Sequence, residues 1–555
     1  MALSTINAAL GQIPKRAESR DEAELRSTFE DSGVSQAMNN LDDQIVYGRR
    51  GTGKTHAFRY LSSIRNDENN LPIYIDLRTV GSTDGLFGGR PLTGAEKTAR
   101  LLVDLLSWIH EEIFNLAVSD EGLESDSNFV GSLDRLYDSI RTVRVIGEVE
   151  TSSQRREEDA EQGTFRLDVS PHGLNVASSS NASSTSMRAE NETRSGIEVQ
   201  SINFAEVSKA LRDLARSISN RRIWLLLDEW TSLPIEVQPY LGEFLKRCIL
   251  PLPRFTVKIA AIEQQAVFQT QLSNGELIGI ELGADMAANL SLDDFMVFEN
   301  DQQRSREFFL GLFCKHLKVG SSDTSTQFDF RSERDLIRQG FSDVRAFDEL
   351  VRAAEGVPRD AINIAANSAR HAGSGAISIP HVRRASRDWY HQDKHRALTS
   401  QPEAEALLNW IVDKVIRDKK ARGFLVNQRD IGTSLLTSLF EARVLHVARR
   451  GYSAQDAPGE RYDVYTIDYG AYVDLIGTKN GPSTHLPLPE YQSDLPTQDE
   501  VIGDVEVPSQ DLRALRRAIL DVSEFTGDRL DRRGKEQGQL RMLGSPSWKP
   551  HSGGR

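Results

Sequence analysis

Gly48-Arg49-Arg50-Gly51-Thr52-Gly53-Lys54-Thr55 follows a short apolar run, Gln44–Tyr47, and leads into a stretch of helical character. It fills every fixed position of the pattern G-x-x-x-x-G-K-[ST]. Glycines at these places let the backbone curl until successive N–H groups face one point, which makes a nest for a phosphate. The helix beginning near Lys54 turns its positive end toward the same anion. Lys54 then reaches the β- and γ-phosphates of a nucleoside triphosphate as a point charge, and the Thr55 hydroxyl is available to magnesium. Gly48, Arg49, Arg50, Gly51, Thr52, Gly53, Lys54, Thr55 and the adjoining His56 are therefore the candidate contacts to ATP, with Mg2+ as its companion ion.

A second half-site is written in Ile223-Trp224-Leu225-Leu226-Leu227-Asp228-Glu229. An apolar strand delivers two acids at its C-terminal end, so Asp228 is expected to hold the magnesium shell and Glu229 to polarise the attacking water. A further strand, Thr256–Ile262, ends at Glu263-Gln264-Gln265, which brings polar side chains to the same kind of position. Gly356-Val357-Pro358-Arg359 lies between two helical stretches, the first carrying Val344, Phe347, Leu350 and Val351. Proline suits the first helical position. A cation in that first turn sits at the wrong end of the helix dipole unless it meets an anionic ligand, which singles out Arg359.

Working outward, Ile73–Leu77 reads as a strand, and Leu102, Leu105, Leu106, Ile109 and Ile113 form a helical stripe. Residues 148–196 lose all apolar period and include Ser178-Ser-Ser-Asn-Ala-Ser-Ser-Thr-Ser186, a composition expected to stay disordered. Val207, Ala210, Leu211, Leu214, Ala215 and Ile218 form another stripe, and Phe295–Phe298 completes the strand candidates. Short apolar strands alternating with helices predict a parallel sheet covered on both faces. Residues 301–372 read as helical. Residues 402–478 combine helices with a strand pair, Leu445–Ala448 and Tyr462–Tyr469, in the manner of a winged helix. Beyond about Gly481 the chain is rich in Pro and charge, with one helical candidate at Gln510–Val522 and an end expected to be disordered.

The chain has 555 residues, enough for three or four domains. Charged residues, 27% of the total, interrupt every apolar run before it reaches membrane-spanning length, and the first residues lack the apolar core of a secretory leader. Two cysteines, Cys248 and Cys314, exclude a disulfide scaffold or a cysteine-rich zinc module and favour a reducing, cytoplasmic setting. A net charge of −14 argues against a general nucleic-acid coat.

Together these motifs resemble those of AAA+ P-loop ATPases, in the branch that includes origin-recognition-like and STAND-like proteins. The likeness covers about residues 25–470, less the insertion. It implies an α/β fold: a P-loop NTPase (ASCE/AAA+) core with a parallel sheet ordered 5-1-4-3-2, a helical lid and a winged-helix-like domain. The division expected from it is an N-terminal segment (1–24), the core (25–300), a lid (301–400), a winged-helix-like domain (401–480) and a mostly disordered tail (481–555). By the same carry-over Asp228 and Glu229 form Walker B, Glu263 or Gln264 acts as sensor 1, and Arg359 as sensor 2. The chain departs from the pattern in three ways. The separation of Lys54 from Asp228 is long, the sensor 1 position is acidic, and no Lys or Arg occurs between Lys258 and Arg304, where a trans-acting arginine finger usually stands. Arg247 and Arg254 are the substitutes upstream.

The leading functional expectation is a slow, magnesium-dependent ATPase that works as a regulatory switch on a protein partner. Homo-oligomerisation is compatible with it, and the resemblance extends to bacterial mobile-element or phage-defence systems. The alternative is a DNA-binding initiator or loader, reading DNA through Lys419, Lys420, Arg422, Arg449 and Arg450. Residues 401–480 carry 11 Lys/Arg and 11 Asp/Glu, so that region is neutral, against the habit of strong DNA binders. A kinase reading lacks any visible acceptor module.

Overall fold

The computed structural model describes residues 2–17, 20–80, 94–140, 143–146, 168–170, 173–175, 197–218, 220–294, 301–320, 334–419, 421–431, 433–453, 460–476, 519–522 and 524–525. These fall into two compact units, one spanning Arg16–Phe295 and the other combining Met1–Lys15 with the chain from Met296 onward.

The first unit is built on five parallel strands: β1 (Gln44–Tyr47), β2 (Leu71–Asp76), β3 (Ile223–Asp228), β4 (Phe255–Ala261) and β5 (Ala287–Ser291). Their order across the sheet is 5-1-4-3-2. β1, β3 and β4 are buried along their whole length, as strands covered on both faces must be, and this is why they read as largely apolar runs. On one face α2 (Lys54–Asp67) packs Ala57, Phe58 and Leu61 against Val46, Trp224 and Leu226. On the other, α3 (Gly94–Val118), α4 (Ser127–Ile140), α5 (Phe204–Ser217) and α6 (Gln238–Cys248) close over Ile73, Leu225, Leu227, Val257 and Ile259. Each such side chain taken out of water contributes about 1.5–3 kcal/mol. Asn203 starts α5 by accepting from the N–H groups of Ala205 and Glu206.

The fifth strand is not where the apolar pattern placed it. Phe295–Phe298 lies outside the described residues, and Ala287–Ser291 fills the position beside β1. At the sheet edge only Leu290 and Ser291 of β5 are buried, so no continuous apolar run marks it. Between β4 and β5 a short hairpin, Gln269–Gln271 with Leu277–Gly279, packs on α6. Gly279 has φ 109°, and a Cβ there would come within 2.1 Å of the Phe268 carbonyl, so only glycine closes this turn.

The insertion also holds more order than its composition predicts. Asp168–Ser170 pairs with Gly173–Asn175, that strand pairs with Ile197–Ile202, and Ile197–Ile202 pairs with Val143–Ile146 in an antiparallel sheet. Backbone ladders of this kind need no apolar alternation to form, which is why the pattern did not reveal them. Residues 147–167 and 176–196 lie outside the described residues.

The second unit begins with the N-terminal helix α1 (Ala2–Gln12), which packs against α7 (Gln302–Gly320), α8 (Arg334–Gly340) and α10 (Pro358–Ala372). Asn7 anchors it by donating to the carbonyls of Gly373 at 2.8 Å and Gly375 at 3.0 Å. Between α8 and α10 runs α9 (Val344–Ala353), capped by Asp343, and α11 (Ile379–Trp389) follows. Then come α12 (Pro402–Ile411), β6 (Gly423–Asn427), α13 (Ser434–Glu441), β7 (Leu445–Ser453) and β8 (Arg461–Ile467). The expected strand pair is thus β7 with β8, and β6 adds a third antiparallel strand on the other side of β8. The helix expected over Gln510–Val522 falls mostly outside the described residues. Ile519 instead bridges Leu425 in extended form, and Phe525 lies against Trp410 with ring centroids 5.8 Å apart. Part of the tail is therefore packed on this unit. Among the described residues no helix is long and apolar enough to cross a membrane.

Candidate nucleotide-binding site

Parallel strands deliver their following loops to one edge of the sheet, the edge at which open α/β sheets place their ligands. Here that edge collects the P-loop after β1, Asp228 and Glu229 at the end of β3, Glu263–Gln265 after β4 and Leu292–Asp294 after β5. The Gly48 N–H bonds the Ala261 carbonyl at 3.1 Å, which fixes the loop's start to β4. Gly51 and Gly53 have φ of 91° and 95°, values that L side chains rarely adopt, and α2 starts directly after them.

Lys54 is buried and donates to the carbonyls of Gly48 at 2.7 Å and Arg49 at 3.0 Å, so its ammonium lies across the loop. Burial pulls it below the ordinary lysine range, against the opposing influence of Asp228 and Glu229. Thr55 donates to Asp228 Oδ2 at 2.7 Å, while Asp228 Oδ1 accepts the Glu229 N–H at 2.8 Å. The two halves of the site, 173 residues apart in the chain, therefore meet in one hydrogen bond. Glu229 has φ 57°, left-handed backbone that costs a non-glycine residue of order 1–3 kcal/mol. Its carbonyl is held there by Ser232 through the N–H at 2.9 Å and the hydroxyl at 2.7 Å. Burial, then the charge of Asp228, raises the Glu229 carboxyl above the ordinary glutamate range.

Not every loop residue is turned to a ligand. Arg49 is buried in an ion pair with Asp293, Nε to Oδ1 at 2.6 Å, and its N–H meets the other carboxylate oxygen at 3.0 Å. Its side chain thus ties the loop to the segment after β5. His56 Nε2 lies 2.6 Å from the Leu25 carbonyl and its ring meets Phe29 edge-on, which uses it to hold the helix Glu22–Thr28. Arg50 is exposed. Glu263 and Gln264 lie in a short 3-10 turn that Gln238 braces, donating to the Gln265 carbonyl and accepting from Val267. The Gln264 side-chain oxygen is buried without a hydrogen-bond partner. Arg359 is the second residue of α10 in the other unit, where Asn363 donates to its carbonyl at 2.8 Å.

The substitute fingers are engaged: Arg247 pairs with Glu243, and Arg254 donates to the Arg221 carbonyl at 3.4 Å. Of the residues proposed to read DNA, Arg422 pairs with Glu355 and sits 5.9 Å from the Tyr472 ring, inside its own unit. Lys419 is exposed and Arg450 half-buried; Lys420 and the Arg449 side chain lie outside the described residues.

A magnesium ion makes modest demands on the protein, usually one or two oxygen ligands beside phosphates and water. Among the described residues no group of three or more His, Cys, Asp and Glu is arranged to cage a metal. The buried Asp228 carboxylate beside the Thr55 hydroxyl is the sparse oxygen set that suits magnesium arriving with a triphosphate. Two neighbours escaped the reading of the sequence. Tyr74 on β2 donates to Asp228 Oδ2 at 2.8 Å, and Asp293 captures Arg49. Strand alternation could have flagged Tyr74, two residues before the end of a strand that borders β3; nothing local marks Asp293. In comparisons with protein-family models and with curated proteins, nothing matches this chain.

Proposed function

We propose that this protein is an ATP-binding, magnesium-dependent P-loop ATPase of the AAA+ type that hydrolyses slowly and acts as a regulatory switch on a protein partner in the cytoplasm. The observation that carries the reading is the Thr55–Asp228 hydrogen bond at 2.7 Å, which joins the P-loop to an acid at the end of a central parallel strand. The sheet order 5-1-4-3-2 supports it. In this scheme the loop N–H groups and Lys54 bind the phosphates, while Asp228 and Thr55 would hold magnesium, whose role is to neutralise phosphate charge. Glu229 takes the proton of the attacking water, and its raised pKa suits a base. The switch reading is favoured over a DNA loader because Arg422 is spent on Glu355 and the region 401–480 is neutral. Lys54→Ala tests the core claim. It should abolish ATP binding measured by calorimetry, since backbone amides alone do not neutralise a triphosphate; equal affinity in the two proteins overturns the reading.

A further inference from the structure

Asp228 Oδ2 accepts two hydroxyls at once, Thr55 at 2.7 Å and Tyr74 at 2.8 Å. Only the first belongs to the phosphate-binding loop. Tyr74 comes from β2, where it pairs with Leu226 in register and so faces the same side of the sheet as Asp228, two residues on along β3. That side is covered by α2, and Arg59 of α2 lays its guanidinium 3.7 Å from the centre of the Tyr74 ring. The phenol is therefore clamped between the P-loop helix and the carboxylate.

We propose that Tyr74 is a positioning residue for magnesium, an inference that rests on the ATPase reading above. With Glu229 N–H on Oδ1 and Tyr74 on Oδ2, each oxygen of Asp228 is held by a donor that does not belong to the metal shell. The carboxylate is thereby kept from rotating, and Thr55 can give its proton to it while its oxygen lone pairs stay available to the ion. Tyr74 touches neither nucleotide nor water in this scheme and acts through Asp228 alone. Its contribution belongs to the metal-dependent part of ATP binding, and the metal-independent part belongs to the loop amides and Lys54.

Tyr74→Phe removes one oxygen and leaves the ring under Arg59. The readout is ATP affinity by calorimetry in excess magnesium and in excess EDTA. A hydrogen bond to a charged group predicts about a tenfold loss in magnesium, with the EDTA value unchanged. An equal loss under both conditions, or none under either, overturns the proposal. Wild-type protein that binds ATP under neither condition overturns the ATPase reading itself, and the assignment of Tyr74 falls with it. Should Tyr74→Phe fail to fold, Arg59→Gln, which frees the ring and keeps the hydroxyl, must show the same selective loss at smaller size, and its absence overturns the proposal equally.

Discussion

Glu229 feels burial and Asp228 opposing its charge, with Lys54 and Arg78 on the other side, and the balance leaves it more basic than an ordinary glutamate. That is useful to a group that must accept a proton, and it has a visible consequence. As the proposed base, Glu229 would work only when ionised, so turnover should fall on the acid side at a pH above the ordinary glutamate range. Glu229→Gln keeps the shape and loses the acceptor. ATP affinity should be retained while turnover falls by ~10² or more. Hydrolysis at the wild-type rate in this variant would place the base elsewhere. The left-handed backbone at Glu229 belongs to the same account: the chain turns sharply between two acids, so Asp228 binds its neighbour's N–H and the Glu229 carbonyl is fixed by Ser232. Arg49 is the opposite case, a P-loop arginine whose charge is consumed by Asp293.

At the scale of elements, β4 carries an oddity in an otherwise apolar strand. Lys258 is fully buried and donates to Asn40 Oδ1 at 2.8 Å, the Asp42 carbonyl at 2.8 Å and Gln44 Oε1 at 3.2 Å. Burial outweighs the attraction of Asp42 and Asp43 and brings it down to about 8, from an ordinary value of 10.5. Between those two pH values the unfolded chain binds more protons than the folded one, so the folded state gains stability as pH rises through that window. Below about pH 8 the full penalty of the buried charge is present. Compared with Lys258→Met, wild-type stability in urea should therefore improve by about 3 kcal/mol between pH 8 and 10.5. A pH-independent difference would show that Lys258 titrates like an exposed lysine. Elements of this core were legible in proportion to their burial. β1, β3 and β4, covered on both faces, announce themselves as apolar runs, and the P-loop is local in sequence. β5, buried only at Leu290 and Ser291, the paired strands inside the insertion, and the hairpin at Gly279 rest on backbone pairing and long-range contact, which leave no periodic trace. The contacts of Tyr74 and Asp293 were hidden for the same reason, since each depends on which strands become neighbours.

For the molecule as a whole, the two units show how charge is spent. In the C-terminal unit Lys394 is buried between Asp360 and Asp468, and Arg443 and His446 bind the same carboxylates. Burial works against the Lys394 ammonium, yet the two aspartates hold it above the ordinary lysine range. Removing one partner from such a cluster leaves an uncompensated buried charge, so it knits α10 and the turn that follows α11 to β7 and to the residue just after β8. Glu355 does the same with Arg422, which leaves that arginine committed to its own unit. In the sheet unit the cations upstream of β4 are similarly occupied, Arg247 by Glu243 and Arg254 by the Arg221 carbonyl. The chain from Ile259 to Gln303 contains no Lys or Arg at all. An arginine finger supplied by a neighbouring subunit stabilises the charge of the transferring phosphoryl group and is worth ~10³–10⁵ in turnover. With none on offer from that surface, the isolated protein should bind ATP well and hydrolyse it slowly, at a specific activity that does not change over a wide range of protein concentration. Arg247→Ala and Arg254→Ala should leave that basal rate in place. A steep rise with concentration that disappears in either variant would establish a finger acting in trans, with Glu243 or the Arg221 carbonyl merely its resting partner. A high rate that is independent of concentration would instead defeat the slow switch, because the single chain would then already possess the charge stabilisation that the switch is expected to receive from its partner.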